Sequence, residues 1–583
     1  MPEKIFYGVP ASGGIEIGPA YLYYAQGLTI PRRLLKPEEI DPELKRFQAA
    51  LTKTRDQIKE LEERAKQKLG EEHASIFSAH QVLLDDPLFT EDVARAVSAD
   101  HVNSEFVLHE ALENFKTVMA SLNDEYFRER SGDIRDVGNR VLRNLLGKGD
   151  KEQLKKLGKE IILVANDLTP SDMVNLPTET IKAFCTDVGG KTSHVAIVSR
   201  SLGLPAVVGM RDATAEIQDG DVLIVDGTKG LVLVNPGPLI IEQYRHLKDE
   251  YIAFQKSLES FKNLSAVTPD GRHVVLAANI ESPLELNEMS RYGAEGIGLY
   301  RTEFLYMNRE DAPLEEEQFQ AYKELAMKTG PNPAIIRTLD LGGDKFLSSL
   351  NDAEERNPFL GLRAIRLCLK KPEIFKIQLR AILRAAAYGP IKIMFPMIST
   401  LEEVLESKAL LRECAEELKN EGQVFRSGVE VGVMIEIPSA AIIADILIQE
   451  VDFFSIGTND LIQYSMAVDR ANESVAYLYE PLNPAILRLI SMTVEAAHKA
   501  GKWVGMCGEM AGDPQLVPLL LGMGLDELSA SISVLSEIKR IIRMMPYEKA
   551  REIAQAAIRV KTSDEVFEII RNNVPSEINS IPF

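Results

Sequence analysis

Five segments in the second half of the chain set charged or reactive side chains inside otherwise apolar runs. GIGLY leads into Arg301-Thr302-Glu303, and AIIRTLDL contains Arg337 and continues to Gly342-Gly343-Asp344-Lys345. VGVMIEIP holds Glu436, FFSIG leads into Thr458-Asn459-Asp460 with Arg470 a short way on, and WVGMCGE holds Cys507 and Glu509. Burying such groups is costly unless they are paired or bound to a ligand, so a recurrent set converging on one place is hard to explain as packing. Arg301, Arg337, Arg363 and Arg470 are fork-shaped cations suited to phosphate and carboxylate. Glu436 and Asp460 are hard oxygen ligands of the kind Mg²⁺ takes, one or two at a time, alongside substrate phosphate. Together they describe a phosphorylated anion held on Mg²⁺. Taken singly, each arginine is better explained by a structural ion pair. Cys507 reads either as a small buried apolar residue or, at the mouth of a site, as a proton donor.

A second candidate lies at Gly189-Gly190-Lys191-Thr192-Ser193-His194, followed by VAIVSRSLG. Thr192 or Ser193 can cap a helix that Gly203 and Pro205 end, which puts His194 in its first turn. A helix N-terminus disfavours imidazolium and supports phosphate through free N–H groups, so His194 is placed as a neutral nucleophile able to carry a phosphoryl group. A histidine with no role beyond the helix start satisfies the same pattern.

The elements that would position these groups follow from periodicity. After Thr268-Pro269-Asp270-Gly271, eight apolar or β-rich runs begin at Val274, Gly296, Ala334, Ile391, Val431, Phe453, Trp503 and Glu527, with helical patterns between them. That alternation predicts a (β/α)8 barrel, whose sites are built at the C-terminal ends of its strands; a doubly wound sheet is the fallback. Pro37 to Leu146 is rich in Glu, Lys, Arg, Ala and Leu and reads as a helical bundle. Within it IFSAHQVLLDDPL, from Ile76 to Leu88, is either a partner-docking patch or an ordinary core face ending in a turn. IILVA, KAFCT and DVLIVDG are short β-type runs, and the Gly-rich start with Tyr21 to Tyr24 is expected to join the same unit. Tyr244, Leu247, Tyr251, Phe254, Leu258 and Phe261 form a stripe on one connecting helix, and Pro236-Gly237-Pro238 and that helix are the two hinge candidates.

The expected class is therefore a multidomain α/β protein: an α/β domain with an inserted helical bundle, a linker helix and a C-terminal TIM barrel. The expected bounds are 1–33 and 148–236 for the α/β domain, 34–147 for the bundle, 237–264 for the linker and 265–583 for the barrel. A chain of 583 residues suits about four domains at roughly 150 residues each. With 45% hydrophobic and 26% charged residues it is globular in composition. Sixty-six Lys+Arg against 87 Asp+Glu leave a net charge of -21, which repels nucleic acid and anionic membrane and favours a basic protein partner. The four cysteines form no CxxC pair, the N-terminus MPEKIFYGVPASGG has no apolar core of signal-peptide length, and no apolar run is long enough to span a bilayer, so a reducing cytoplasm is expected.

GGKTSHVAIVSRSLGLPAVVG resembles the phosphohistidine signature of phosphoenolpyruvate-using enzymes. EGIGLYRTEFLYM, IIRTLDLGGDK, NPFLGLRAIR, IEIPSA, FFSIGTNDLIQYSMAVDR and GMCGEMAGDP resemble their barrel motifs. IFSAHQVLLDDPLF and YFRERSGDIRDVGNRVLRNLLG resemble the partner-binding domain of the Enzyme I family of bacterial sugar phosphotransferase systems, so the resemblance spans nearly the whole chain. It implies autophosphorylation of His194 by phosphoenolpyruvate with Mg²⁺, release of pyruvate, and transfer to the histidine phosphocarrier HPr, the first step of sugar uptake. A regulatory-branch relative using a different HPr-like carrier is the alternative. By the same resemblance Arg301, Arg337, Arg363 and Arg470 would bind phosphoenolpyruvate, aided by Lys345 and Asn459. Glu436 and Asp460 would hold Mg²⁺, and Cys507 would protonate the enolate carbon. Ile76, His80, Val82, Leu83 and Asp86 would meet a basic HPr surface, and the barrel would form a homodimer. Lys191 stands where the family commonly has arginine, Asn483-Pro484 replaces a frequent His-Pro, and the tail after about Ile570 matches nothing. A related dikinase would need a nucleotide domain, of which no G-x-x-x-x-G-K-[ST] loop gives a sign. A phosphoenolpyruvate sensor without catalysis would have no need of His194, Glu436, Asp460 and Cys507 together.

Overall fold

The computed structural model describes residues 4–23, 30–69, 77, 80–81, 83–121, 125–147, 160–176, 179–190, 193–281, 285–289, 292–306, 311–341, 357–470, 472, 474–575 and 578. The chain divides into two compact units, Met1–Phe254 and Gln255–Ile581.

The first unit contains an eight-stranded sheet. Its strands are β1 (Lys4–Tyr7), β2 (Val9–Ser12), β3 (Ile15–Tyr23), β4 (Ile161–Ala165), β5 (Ile181–Thr186), β6 (Ala206–Val208), β7 (Val222–Asp226) and β8 (Leu231–Val234), in spatial order β1-β8-β7-β3-β4-β5-β6-β2. β3, β4, β5 and β6 run parallel, and β1, β8, β7 and β2 pair antiparallel at the two flanks. Strands buried on both faces need apolar residues at every position, which is what IILVA supplies: Ile161, Leu163 and Ala165 face one core, Ile162 and Val164 the other. The first 23 residues thus share a sheet with strands that follow residue 160.

Between β3 and β4 lie helices Pro37–Leu69, Val93–Asp100, Ser104–Ser121 and Glu125–Leu145, packed around Phe47, Ile58, Phe77, Leu84, Phe89, Leu108 and Val141. A buried polar knot ties their ends together. Glu43 accepts from the Ser104 N–H at 2.8 Å and from Arg46 at 2.6 Å, and Arg46 also reaches Glu105 at 2.5 Å. The striped helix runs from Pro238 to Glu259. Its Ile240, Ile241, Tyr244 and Leu247 cover Ile15, Ile224 and Leu233 of the sheet, and Lys248 pairs with Glu16 at 2.7 Å. Of the two hinge candidates, Pro236-Gly237-Pro238 is therefore not where the compact units part, and the division falls within the helix itself. Apolar burial holds the first half of the helix to the sheet, and the division falls after Phe254.

The second unit is a closed parallel barrel of β9 (Val275–Ile280), β10 (Ile297–Tyr300), β11 (Ala334–Arg337), β12 (Ile391–Phe395), β13 (Val431–Ile435), β14 (Phe453–Ile456), β15 (Trp503–Met506) and β16 (Glu527–Ser531). Each strand lies within one of the eight runs read from the sequence. One set of side chains packs outward under the helices, and Leu299, Ile335, Met394, Met434, Phe453, Trp503 and Cys507 fill the interior. That filling makes the barrel a packed core with a site at its rim, not a pore.

Candidate active site

Seven of the residues singled out from the sequence line one cavity of about 450 Å³ at the C-terminal end of the barrel: Arg301, Arg337, Arg363, Glu436, Asp460, Arg470 and Cys507. Asn459 lines it too. Arg301, Glu436 and Cys507 each follow directly on a strand, Arg337 ends β11, and Asn459 and Asp460 stand in the first turn of helix Thr458–Met466 beyond β14. Parallel strands leave their last residues at the same rim, so side chains far apart in sequence converge.

The arginines are held by carboxylates that sequence reading did not assign to them. Arg301 pairs with Glu281 at 2.5 Å, and Arg337 with Glu303 at 2.5 Å and Asp340 at 2.9 Å. Arg363 meets Asp340 at 2.7 Å and Asp460 at 3.8 Å. Asn459 and Glu509 exchange hydrogen bonds: the Asn459 amide donates at 2.9 Å and the Glu509 backbone N–H at 2.8 Å. Arg470 reaches the same Glu509 at 3.8 Å. Burial pulls the Arg337 guanidinium down, but Glu303, Asp340 and Glu436 outweigh it and keep it charged. The Nε atoms of Arg301, Arg337 and Arg363 are buried without a hydrogen-bond partner. Buried donors of that kind call for an explanation, and an anionic ligand supplies one. Asp340 was legible only as a lone acid three residues past Arg337.

Glu436 is 2% exposed and accepts from the Met397 N–H at 2.5 Å. Burial, then Asp460 and Asp340, push its carboxyl well above the ordinary range, with Arg337 pulling the other way. Five carboxylates against four guanidiniums line the cavity, namely Glu281, Glu303, Asp340, Glu436 and Asp460 against Arg301, Arg337, Arg363 and Arg470. An anion bound there needs further positive charge, and Glu436 with Asp460 is a donor pair for a hard divalent cation. Among the described residues no group of three or more His, Cys, Asp or Glu side chains is arranged to hold a metal, so such a cation would complete its shell from water and ligand oxygens. Burial pushes the Cys507 thiol up to about 11, which keeps its proton on sulfur at neutral pH.

In the first unit, His194 opens helix His194–Leu202, as expected. The Ser193 hydroxyl caps it by accepting from the Ala196 N–H at 3.4 Å, and Gly203 closes it in the left-handed region at φ 66°. Lys345, Ile76 and Val82 lie outside the described residues. His80, expected on a partner-facing surface, is instead 1% exposed: it packs edge-on to Phe77 and meets Asp133 at 3.2 Å. Leu83 packs half-buried against the bundle core, Asp86 is half-buried, and Asp85 is exposed and paired with Arg55 at 2.6 Å.

Fold and site together define a phosphate-handling enzyme of two parts, a barrel whose mouth sets guanidiniums against carboxylates and an α/β unit with a capped histidine helix. The models of the PEP-utilising enzyme N-terminal, mobile and PEP-binding domains match residues 7–130, 157–230 and 255–547. A phosphoenolpyruvate-protein phosphotransferase of Bacillus sp. (strain S) is 47% identical over 98% of both chains. That of Geobacillus stearothermophilus is also 47% identical over 98% of both, and that of Staphylococcus aureus is 46% identical over 98% of this chain and all of its own. The chain belongs to the phosphoenolpyruvate-utilising enzymes, in the phosphoenolpyruvate-protein phosphotransferase family. No helix among the described residues is long and apolar enough to cross a membrane.

Proposed function

We propose that this chain takes the phosphoryl group of phosphoenolpyruvate onto His194, releases pyruvate, and passes the group to a histidine phosphocarrier of the HPr type in the cytoplasm. The observation that carries the reading is the convergence of Arg301, Arg337, Arg363 and Arg470 with Glu436, Asp460 and Cys507 around one cavity. In this reading the arginines bind the carboxylate and phosphate of the substrate through paired N–H groups, and Asn459 and Lys345 assist. Glu436 and Asp460 would hold Mg²⁺, which when bound neutralises charge on the phosphoryl oxygens. Cys507 gives its proton to the methylene carbon of the enolate as the phosphoryl group leaves. Ser193 fixes the start of the His194 helix, whose unpaired N–H groups suit the phosphorylated imidazole. Phosphoryl transfer asks mainly for positioning and charge neutralisation, and these groups provide both.

The division of labour follows the compact units. Substrate chemistry belongs to the barrel, and the α/β domain presents one imidazole to two partners in turn. The bundle between β3 and β4 receives the carrier through Leu83, Asp86 and the acidic turn beside them, and the barrel forms the dimer contact. Purified protein incubated with phosphoenolpyruvate and Mg²⁺ should gain the mass of one phosphoryl group on His194 and lose it on addition of HPr. Absence of that label without a nucleotide overturns the reading.

A further inference from the structure

Behind the cavity, between the barrel strands and the helices outside them, runs a buried polar thread that the reaction as described does not use. It joins Thr302 after β10, Leu339 after β11, Gln318 and Tyr322 of helix Glu315–Thr329, and Gln378 of helix Pro372–Ala385, all of them buried. None of these residues lines the cavity, yet Thr302 stands between Arg301 and Glu303, which do, and Leu339 directly precedes Asp340, which also does. The thread is one residue removed from the site on two adjacent strands.

Gln378 is the centre of the thread. Its Oε1 accepts from the Leu339 N–H at 2.9 Å, and its Nε2 donates to the Thr302 hydroxyl at 3.3 Å and to the Tyr322 hydroxyl at 3.1 Å. The Thr302 hydroxyl gives its own proton to the Arg337 carbonyl at 3.1 Å, and the Tyr322 hydroxyl gives its proton to Gln318 Oε1, also at 3.1 Å. A hydroxyl has one proton, so toward Gln378 both can only accept, while the Leu339 N–H can only donate. The position therefore asks for an acceptor and two donors on one group, which an amide supplies and a carboxylate, a hydroxyl or an apolar chain does not.

The thread takes over where the sheet ladder stops. The Thr338 N–H still bonds to the Met394 carbonyl of β12 at 3.0 Å, whereas the Leu339 N–H, one residue on, has the Gln378 side chain. A buried N–H needs such a partner, so Gln378 fixes the path by which the chain leaves β11, and Asp340 is fixed with it. On the neighbouring strand the Thr302 hydroxyl adds one side-chain bond to the β10–β11 pairing beyond Tyr300 and Ile336. The Ala364 N–H donates to the Leu341 carbonyl at 3.1 Å, which ties Arg363 to the same loop. Glu303 and Asp340, carried by these two loops, hold Arg337 at 2.5 Å and 2.9 Å, and Asp340 holds Arg363 at 2.7 Å.

We infer that Gln378 is a positioning residue for phosphoenolpyruvate: from behind the barrel rim it sets the loops after β10 and β11 so that Glu303 and Asp340 present Arg337 and Arg363 to the substrate. This rests on the proposed role of those arginines. Gln378 touches neither substrate nor metal, and its effect reaches the site through Asp340.

The test is a double-mutant cycle read in the Michaelis constant. Pyruvate release from phosphoenolpyruvate with Mg²⁺ and excess HPr is followed for full-length wild type, Gln378→Met, Asp340→Asn and the double variant. Gln378→Met keeps the length of the side chain and removes all three of its hydrogen bonds. It should raise the Michaelis constant for phosphoenolpyruvate about 10-fold while changing kcat less. In the Asp340→Asn background the same substitution should add less than about 3-fold, because residues that act through one another are not additive. An equal rise in both backgrounds marks a general loosening of the barrel and overturns the inference, and so does an unchanged Michaelis constant in Gln378→Met. If Gln378→Met does not fold, Tyr322→Phe withdraws one partner of the amide and should raise the constant about 3-fold in the wild-type background and not in Asp340→Asn; no rise, or the same rise in both, overturns the role. An Asp340→Asn whose constant equals that of wild type removes the arginine reading itself, whereas a raised one beside an unaffected Gln378→Met removes the positioning role alone.

Discussion

Asp340 and Arg363 form a 2.7 Å ion pair, and the other oxygen of the same carboxylate holds Arg337 at 2.9 Å. One acid from the loop after β11 thus spaces two guanidiniums that would otherwise repel, and it presents both to the cavity.

Replacing Asp340 with Asn leaves two buried cations sharing a neutral partner. Truncating one member of a buried charge pair costs about 2 kcal/mol or more, which corresponds to a loss of at least roughly 30-fold. The Michaelis constant for phosphoenolpyruvate should rise by about that factor, with a smaller change in turnover. Steady-state kinetics with an unchanged Michaelis constant would contradict the spacing role.

His194→Ala should abolish labelling by phosphoenolpyruvate while the barrel still binds it. Calorimetric titration and intact-mass measurement on the same preparation check the two halves of that statement. A label that persists moves the nucleophile elsewhere.

In the free protein burial, then Asp460 and Asp340, hold the Glu436 carboxyl toward its protonated form, with Arg337 pulling the other way. Glu436→Gln should therefore lower kcat by about 100-fold or more and weaken its dependence on Mg²⁺, yet leave the Tm of the barrel in chelator-treated protein nearly unchanged, since a protonated carboxyl is replaced by a neutral isostere. A fall in that Tm would mean the carboxylate is held by structure and not reserved for a cation.

For Glu43 the sign is opposite. Burial alone would raise its carboxyl, but hydrogen bonds from Arg46 and the Ser104 N–H outweigh it and hold the folded value below the ordinary 4.5. A lowered folded value contributes stability that is fully present above the ordinary one and is lost as pH falls through the folded one. The Tm gap between wild type and Glu43→Gln should be flat above about pH 6 and close below about pH 4.5. A gap that widens in acid would reverse the assignment.

Much of the architecture was written in local patterns. Each barrel strand lay in a run of apolar residues, and the Ser193 cap with the Gly203 stop framed the His194 helix, because strand burial and helix ends act through neighbours in the chain. β6 and β8 were not singled out: AVV and LVLV follow closely on the neighbouring helix and strand, with no alternating pattern of their own to set them apart. The amphipathic stripe around His80 could not tell a partner face from a core face, since both demand the same spacing; only the edge-on packing against Phe77 and the pairing with Asp133 show that His80 turns inward.

The sequence by itself determined which residue types were available at the strand ends, and through them the chemistry. The tertiary structure alone decided what those residues face. That Asp340 serves two arginines, that Glu281 and Glu303 hold two more contacts, and that Gln378 joins Leu339 to Thr302 all depend on strands brought side by side when the barrel closes. Register across strands is set by the burial of whole faces and not by any local signal, so these pairings between distant residues are written in no single stretch of the chain.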